Sequence, residues 1–252
     1  MNFNFEGKSV LVTGSTKGIG YSIAKKFLEA GAMVCINSRN KNNLEKSLKE
    51  IKENNKIGLV ADVSIPKESE YLVNECTKAL KKIDILVCNV GSGRSVRPGQ
   101  ESYEEWQKVF AKNFFSTTNI IESCKPKLKE TKGSIICISS ICGHEVIDNA
   151  PITYSTAKAA LNFYIKGISR SLGKDGIRIN GISPGNILFE GSIWEKKLIE
   201  EPDQVKEILR NVPLSKLGST DDIANFCLWL SSPLSNFCTG SIYRIDGGQL
   251  RV

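Results

Sequence analysis

The sequence predicts a single α/β domain: a doubly wound parallel sheet of seven strands with helices on both faces. Three observations predict it. Short apolar runs rich in β-branched residues recur along the chain, and the segments between them carry apolar residues at helical spacing. The runs are also continuous rather than alternating, as expected of parallel strands covered on both faces. With 252 residues, 40% of them hydrophobic and 24% charged, the chain has ordinary globular composition and enough material for one sizeable core.

The elements follow in order. "SVLVT" (9–13) reads as the first strand, and Ile19, Ile23 and Phe27 mark one face of the helix after it. "MVCIN" (33–37) precedes a helix marked by Leu44, Leu48 and Ile51, and "IGLVA" (57–61) and "DILVC" (84–88) are the next strands. Trp106, Phe110 and Phe114 define a helical face before "SIICIS" (134–139), as Leu161, Ile165, Ile168 and Leu172 do before "IRINGI" (177–182). "SIYRI" (241–245) closes the series. Strand and helix in alternation give βαβ units, and no linker-like stretch divides them. Only segment 186–219 breaks the rhythm, with Leu188, Phe189, Ile193 and Trp194 near its start. A substrate-side lid and a packed extra helix pair are both open readings of it.

Several classes are excluded. No stretch approaches eighteen consecutive apolar residues, so no membrane span is expected, and "MNFNFEGKSVLVTG" does not read as a signal peptide. The formal charge of +7 comes from 34 basic residues spread along the chain and alternating with acids, as in "LEKSLKEIKE". That is the pattern of solvated helix faces rather than of a nucleic-acid surface. Eight scattered cysteines form no C-x-x-C pair, and with a single histidine no metal site is expected. They read as buried, reduced thiols of a cytoplasmic protein.

The chemistry-bearing residues cluster in three motifs. "TGSTKGIG" places Gly14, Gly18 and Gly20 directly after the first strand and at the opening of a helix. Glycines there let backbone approach a pyrophosphate, whose charge is held by free N–H groups. At the end of the second strand, where an acid commonly reads the ribose of NAD, stand Ser38 and Arg39. Arg39 can take a 2′-phosphate in a forked pair of hydrogen bonds, and Lys17 adds a second positive charge, so the residues favour NADP(H). Finally, Ser140 precedes Tyr154-x-x-x-Lys158, whose spacing of one helical turn puts phenol and ammonium on one helix face.

With "TGSTKGIG", Asp62-Val63, "CNVG" (88–91), Asn113, "SS-x-x-G" (139–143), Tyr154-x-x-x-Lys158, "SPG" (183–185) and Asp246-Gly247-Gly248 in order, the chain resembles the short-chain dehydrogenase/reductase family over its whole length. The broad pattern is that of 3-oxoacyl-acyl-carrier-protein reductase-like members. The resemblance implies a Rossmann-type fold and an NADP(H)-dependent exchange of ketone and secondary alcohol. It implies that Tyr154 is the proton donor or acceptor and that Lys158 lowers its pKa and holds the nicotinamide ribose. Ser140 would then hold the substrate oxygen, and Asn113 would bend its helix to hold a water leading from Lys158 to solvent. Gly14, Lys17, Gly18, Ile19, Gly20, Ser38, Arg39, Asp62, Val63, Asn89, Gly91, Tyr154, Lys158, Pro184, Gly185 and Ile187 are the implied cofactor contacts.

The chain departs from the family pattern in places. "CNVG" replaces the usual "NNAG", and the Thr common after Pro-Gly is missing from "PGNILFEG". Between "SRSL" and "GIRIN" stands only "GKD", a shortening near the expected docking place of a carrier protein. A 3-oxoacyl thioester is therefore one substrate class, a sugar-derived or other small polar ketone a second, and a redox-inactive NADP(H)-binding sensor a third reading. Arg94, Arg97 and His144 are polar candidates on the substrate side, His144 reading first as an exposed loop histidine. Leu188, Phe189 and Trp194 are its apolar cover. Family resemblance and surplus apolar residues such as Phe115 and Phe163 imply a homotetramer. Its interfaces would be the helices around 102–129 and 151–172, and the C-terminal "YRIDGGQLRV".

Overall fold

In the computed structural model, which describes residues 3–251, the apolar runs fold as strands β1 (Ser9–Val12), β2 (Met33–Ser38), β3 (Lys56–Val60), β4 (Ile85–Cys88), β5 (Ser134–Ile138) and β6 (Arg178–Pro184). After two short strands, β7 (Ile187–Leu188) and β8 (Gly218–Ser219), comes β9 (Ile242–Ile245). The main sheet has seven strands in the order β3-β2-β1-β4-β5-β6-β9, and every pairing is parallel. The order reverses between β1 and β4. In such sheets the crevice at the carboxyl ends beside that reversal is where ligands bind.

Helices α1 (Gly18–Glu29), α2 (Lys41–Glu50) and α9 (Thr220–Ser231) lie on one face. On the other are α3 (Pro66–Leu80), α4 (Tyr103–Phe110), α5 (Ser116–Thr131) and α6 (Ile152–Lys174). Successive strand residues point to opposite faces, and each face has its own core. Val10, Val12, Ile36, Val87 and Ile136 pack with Ile23, Phe27, Ile223 and Leu228. Leu11, Leu86, Ile135 and Ile179 pack with Leu72, Ile120, Leu161 and Ile165. This double burial is why the strand sequences are apolar without alternation.

The two edge strands differ from that expectation. β3 is only partly covered, with Val60 exposed, and β9 is half-buried, because an edge strand lacks a neighbour on one side. All eight cysteines are unpaired thiols, and six of them are buried.

Segment 186–219 forms β7, α7 (Ile193–Glu200), α8 (Pro202–Arg210) and β8, closed by the pairs Ile187↔Gly218 and Leu188↔Ser219. α8 seats Val205 in the interior, whereas α7 has no buried residue. Within the pair, α8 is therefore the helix anchored to the interior.

Candidate active site

The glycine loop is shaped by hydrogen bonds from two strand ends. Gly14 and Gly18 take positive φ angles of 60° and 57°, in the left-handed region where a side chain is strained. The Asn89 amide, at the end of β4, donates to the carbonyls of Thr13 (3.0 Å) and Gly14 (2.9 Å). A β-carbon on Gly20 would fall 2.3 Å from that amide nitrogen, so only glycine fits there. From β2, the Asn37 side chain accepts from Gly14 N and donates to the carbonyls of Leu59 and Ala61. Asn37 is a loop-positioning residue the sequence motifs had not singled out; its signal was a polar residue inside an apolar strand.

Above this loop α1 begins at Gly18 with no side-chain cap and no acid in its first turn. Free N–H groups and the positive end of the helix dipole suit the diphosphate of a dinucleotide, and the residues present fit such a group. Lys17 is exposed beside them. The ring of Phe189 lies directly over Gly18, where a β-carbon would sit 2.7 Å from its nearest atom. Phe189 was expected among the apolar cover of the substrate; it faces the glycine loop instead.

No acid closes β2. Ser38 is buried and its hydroxyl accepts from Asn40 N at 3.1 Å. Arg39 is exposed and pairs with Asp62 at 3.3 Å. Burial raises the Asp62 pKa, but hydrogen bonds from Ser64 and the Arg39 guanidinium outweigh it and hold the carboxyl below its usual range. Val63 points into the core rather than the groove.

The reacting end is assembled from β5, α6 and a break between α4 and α5. Ser140 follows β5, and its hydroxyl accepts from Cys142 N at 3.2 Å. α6 carries Tyr154, half-buried at the groove, and Lys158, fully buried, one turn apart. Lys158 Nζ donates to Ile138 O at 2.8 Å and stands 5.9 Å from the centre of the Tyr154 ring. Between α4 and α5 the chain makes a π-helical turn, Ala111–Phe115. Inside it Asn113 donates to Val109 O (3.0 Å) and accepts from Ser92 N (2.8 Å). The widened turn frees a backbone carbonyl that the side-chain amide of Asn113 then satisfies.

Burial dominates the electrostatics of the Tyr154 and Lys158 pair. Lys158 was expected to lower the pKa of Tyr154. Burial instead pushes the phenol up to about 12, against the pull of its hydrogen bond with Ser140. The same burial brings Lys158 down to about 8. Desolvation disfavours both charged forms, and in each it is the largest cause.

Ser183 and Pro184 are buried at the end of β6, and Gly185 N donates to Ile245 O. Ile187 is buried beside them. His144 is exposed, as its loop position suggested, yet its Nε2 lies 2.9 Å from the buried Ser183 hydroxyl and ties two strand ends together. Arg94 and Arg97 are exposed in the loop after β4, and Trp194 is half-buried under the Lys197 ammonium.

Residues 14–249 match the family model described as Enoyl-(Acyl carrier protein) reductase. The chain is similar to isoepoxydon dehydrogenase patN of Aspergillus clavatus, at 32% identity over 251 residues, spanning 97% of this chain and 95% of that protein. Its fold is similar to that of a 7 alpha-hydroxysteroid dehydrogenase solved with NADH and 7-oxo glycochenodeoxycholic acid. There the TM-score is 0.91 and the identity 29%, over 100% of this chain and 97% of the other. L-sorbose reductase from Gluconobacter frateurii, complexed with NADPH and L-sorbose, matches with a TM-score of 0.92 and 28% identity over the whole of both chains.

Proposed function

The chain belongs to the short-chain dehydrogenase/reductase family, and on that premise we propose that it is an NADP(H)-dependent oxidoreductase interconverting a small-molecule ketone and its secondary alcohol. A nicotinamide cofactor held by the glycine loop and Lys158 would supply or accept the hydride. Tyr154 gives its phenolic proton to the substrate oxygen as the carbonyl is reduced, and takes it back in the reverse direction. Ser140 donates to the same oxygen and stabilises the charge that develops there. Lys158 holds the cofactor ribose and balances the phenol, while Asn113 fixes the π-helical turn that keeps a proton route open beside Lys158.

The observation that carries this reading is the convergence of Ser140, Tyr154, Lys158 and Asn113 at the carboxyl ends of the strands, beside an uncapped helix N-terminus. NADP(H) is supported by Ser38 and Arg39, at a strand end with no acid. The NADH and NADPH of the two similar structures support a nicotinamide cofactor in general. The remaining cofactor contacts are read as Gly14, Lys17, Gly18, Ile19 and Gly20 at the diphosphate, Asp62 near adenine, Asn89 and Gly91 near the ribose, and Pro184, Gly185 and Ile187 at the nicotinamide.

Small polar or ring ketones are favoured as substrates over 3-oxoacyl thioesters, in keeping with the sorbose and oxo-steroid ligands of the similar structures. Segment 186–219 is read as the cover of the substrate side. Exposed Tyr103, Phe115, Ile152 and Phe163 on α4 to α6 suit burial in a homotetramer, and the reduced buried thiols suit the cytoplasm. A panel of keto sugars, cyclic ketones, diketones and 3-oxoacyl thioesters, assayed by NADPH oxidation, tests the reading. Turnover of a ketone is expected; binding of NADPH without turnover of any carbonyl would leave the redox-inactive sensor.

A further inference from the structure

A cleft of about 480 Å³ opens beside the reacting end, lined by Arg94, Ile193, Lys196, Lys197, Glu200 and Glu201. Gly93 joins it to Tyr154: a β-carbon there would lie 3.8 Å from Tyr154 Cε1 and 3.9 Å from Ile193 Cδ1. A substrate whose carbonyl reaches Tyr154 therefore leaves past Gly93, with Ile193 on its flank and Arg94 next in the chain.

The charges along this exit are unequal in their commitments. Lys196 pairs with Glu200 at 3.5 Å, and Lys197 bonds Gln204 at 3.3 Å while lying over the Trp194 ring. Arg94 makes no ion pair among the described residues; only its backbone is fixed, by a hydrogen bond from its N–H to the Ser92 hydroxyl. Its positive charge is felt at Lys112, whose ammonium is held below its usual value by burial first and then by Arg39, Arg94 and Lys108.

Resting on the ketone-reductase reading, we infer that the substrate carries a carboxylate distal to its carbonyl and that Arg94 pairs with it at the cleft mouth. A guanidinium offers a planar fork that matches a carboxylate in two parallel hydrogen bonds. The three cations and two acids of the lining leave a single positive charge, which one carboxylate neutralises and a phosphate dianion exceeds. Ile193 supplies apolar contact to the carbon chain between the two polar ends.

The test is NADPH-coupled reduction of a graded series of straight-chain and cyclic oxo acids against their methyl esters, in the wild type and in Arg94→Gln and Arg94→Lys. The acid is expected to exceed its ester in kcat/KM by about ten- to hundredfold, the range of a charge-assisted pair. Arg94→Gln should collapse that ratio toward one, chiefly through the KM of the acid, and Arg94→Lys should restore part of it. Equal kcat/KM for acid and ester in the wild type would overturn the inference, as would an undiminished ratio in Arg94→Gln or a preference for a phosphorylated ketone. Those results leave the ketone-reductase reading intact; only the absence of turnover with every ketone would remove the reading itself.

Discussion

The amide oxygen of Asn113 and the ammonium of Lys158 converge on Gly91. A β-carbon at position 91 would lie 3.1 Å from the first and 3.2 Å from the second. Both partners are tethered, Asn113 through Ser92 and Val109 and Lys158 through Ile138 O, so neither can yield without losing a hydrogen bond. Gly91 is thus the floor on which the π-helical turn and α6 meet.

Gly91→Ala should keep the fold and damage the chemistry. The displacement needed is a few tenths of an ångström at Lys158 Nζ, and small misplacements at a reacting centre cost rate far more than stability. The expected result is a kcat reduced about tenfold or more with only a small fall in melting temperature. Wild-type kcat in this variant would show that Lys158 tolerates the shift.

The burial of Lys158 predicts a pH-dependent stability in the cofactor-free protein. Its folded pKa of about 8 lies below the ordinary lysine value of about 10.5, so the unfolded chain holds this proton more tightly than the native state does. The buried ammonium therefore weakens the fold below about pH 8, and the cost fades as the pH rises from about 8 toward 10.5. Lys158→Met should melt higher than the wild type at about pH 7, with the advantage shrinking above pH 8. A difference that stays constant across that range would contradict the burial argument.

Cofactor choice turns on Arg39, with a complication the sequence did not reveal. Its guanidinium already has a carboxylate partner, Asp62, so a 2′-phosphate must share or displace that pair. Arg39→Ala should weaken NADPH by about one to two powers of ten and NADH far less, the range of one charge-assisted interaction. Asp62→Asn should move NADPH affinity the other way, and Ser38→Asp with Arg39→Ala should invert the preference. Fluorescence titration of both cofactors decides it; equal weakening of both by Arg39→Ala would reduce the arginine to a surface charge.

The fold was legible because double burial writes itself into sequence. Val10, Leu11 and Val12 are all interior although they face opposite cores, so three apolar residues stand in a row within one short element. The edge strands were read as fully buried because an apolar run does not say how many neighbours its strand has. Segment 186–219 has helical periodicity but no fixed partner, so its helix pair stayed one reading of two. Single side-chain ties were illegible for another reason: Arg39–Asp62, His144–Ser183, Asn37–Gly14 and Phe189–Gly18 join residues from 23 to 171 positions apart, and only the assembled crevice brings them together. The pKa pattern escaped for the same cause, since a motif names Tyr154 and Lys158 without saying how dry their surroundings are.

The central claim is that Tyr154 supplies the proton for carbonyl reduction. The most direct measurement compares NADPH-coupled turnover of the best ketone by the wild type and Tyr154→Phe, with NADPH affinity titrated in parallel. The account predicts a kcat at least ~10²-fold lower with nearly unchanged affinity, because proton transfer is lost and binding is not. Wild-type kcat in Tyr154→Phe would contradict it and require another acid.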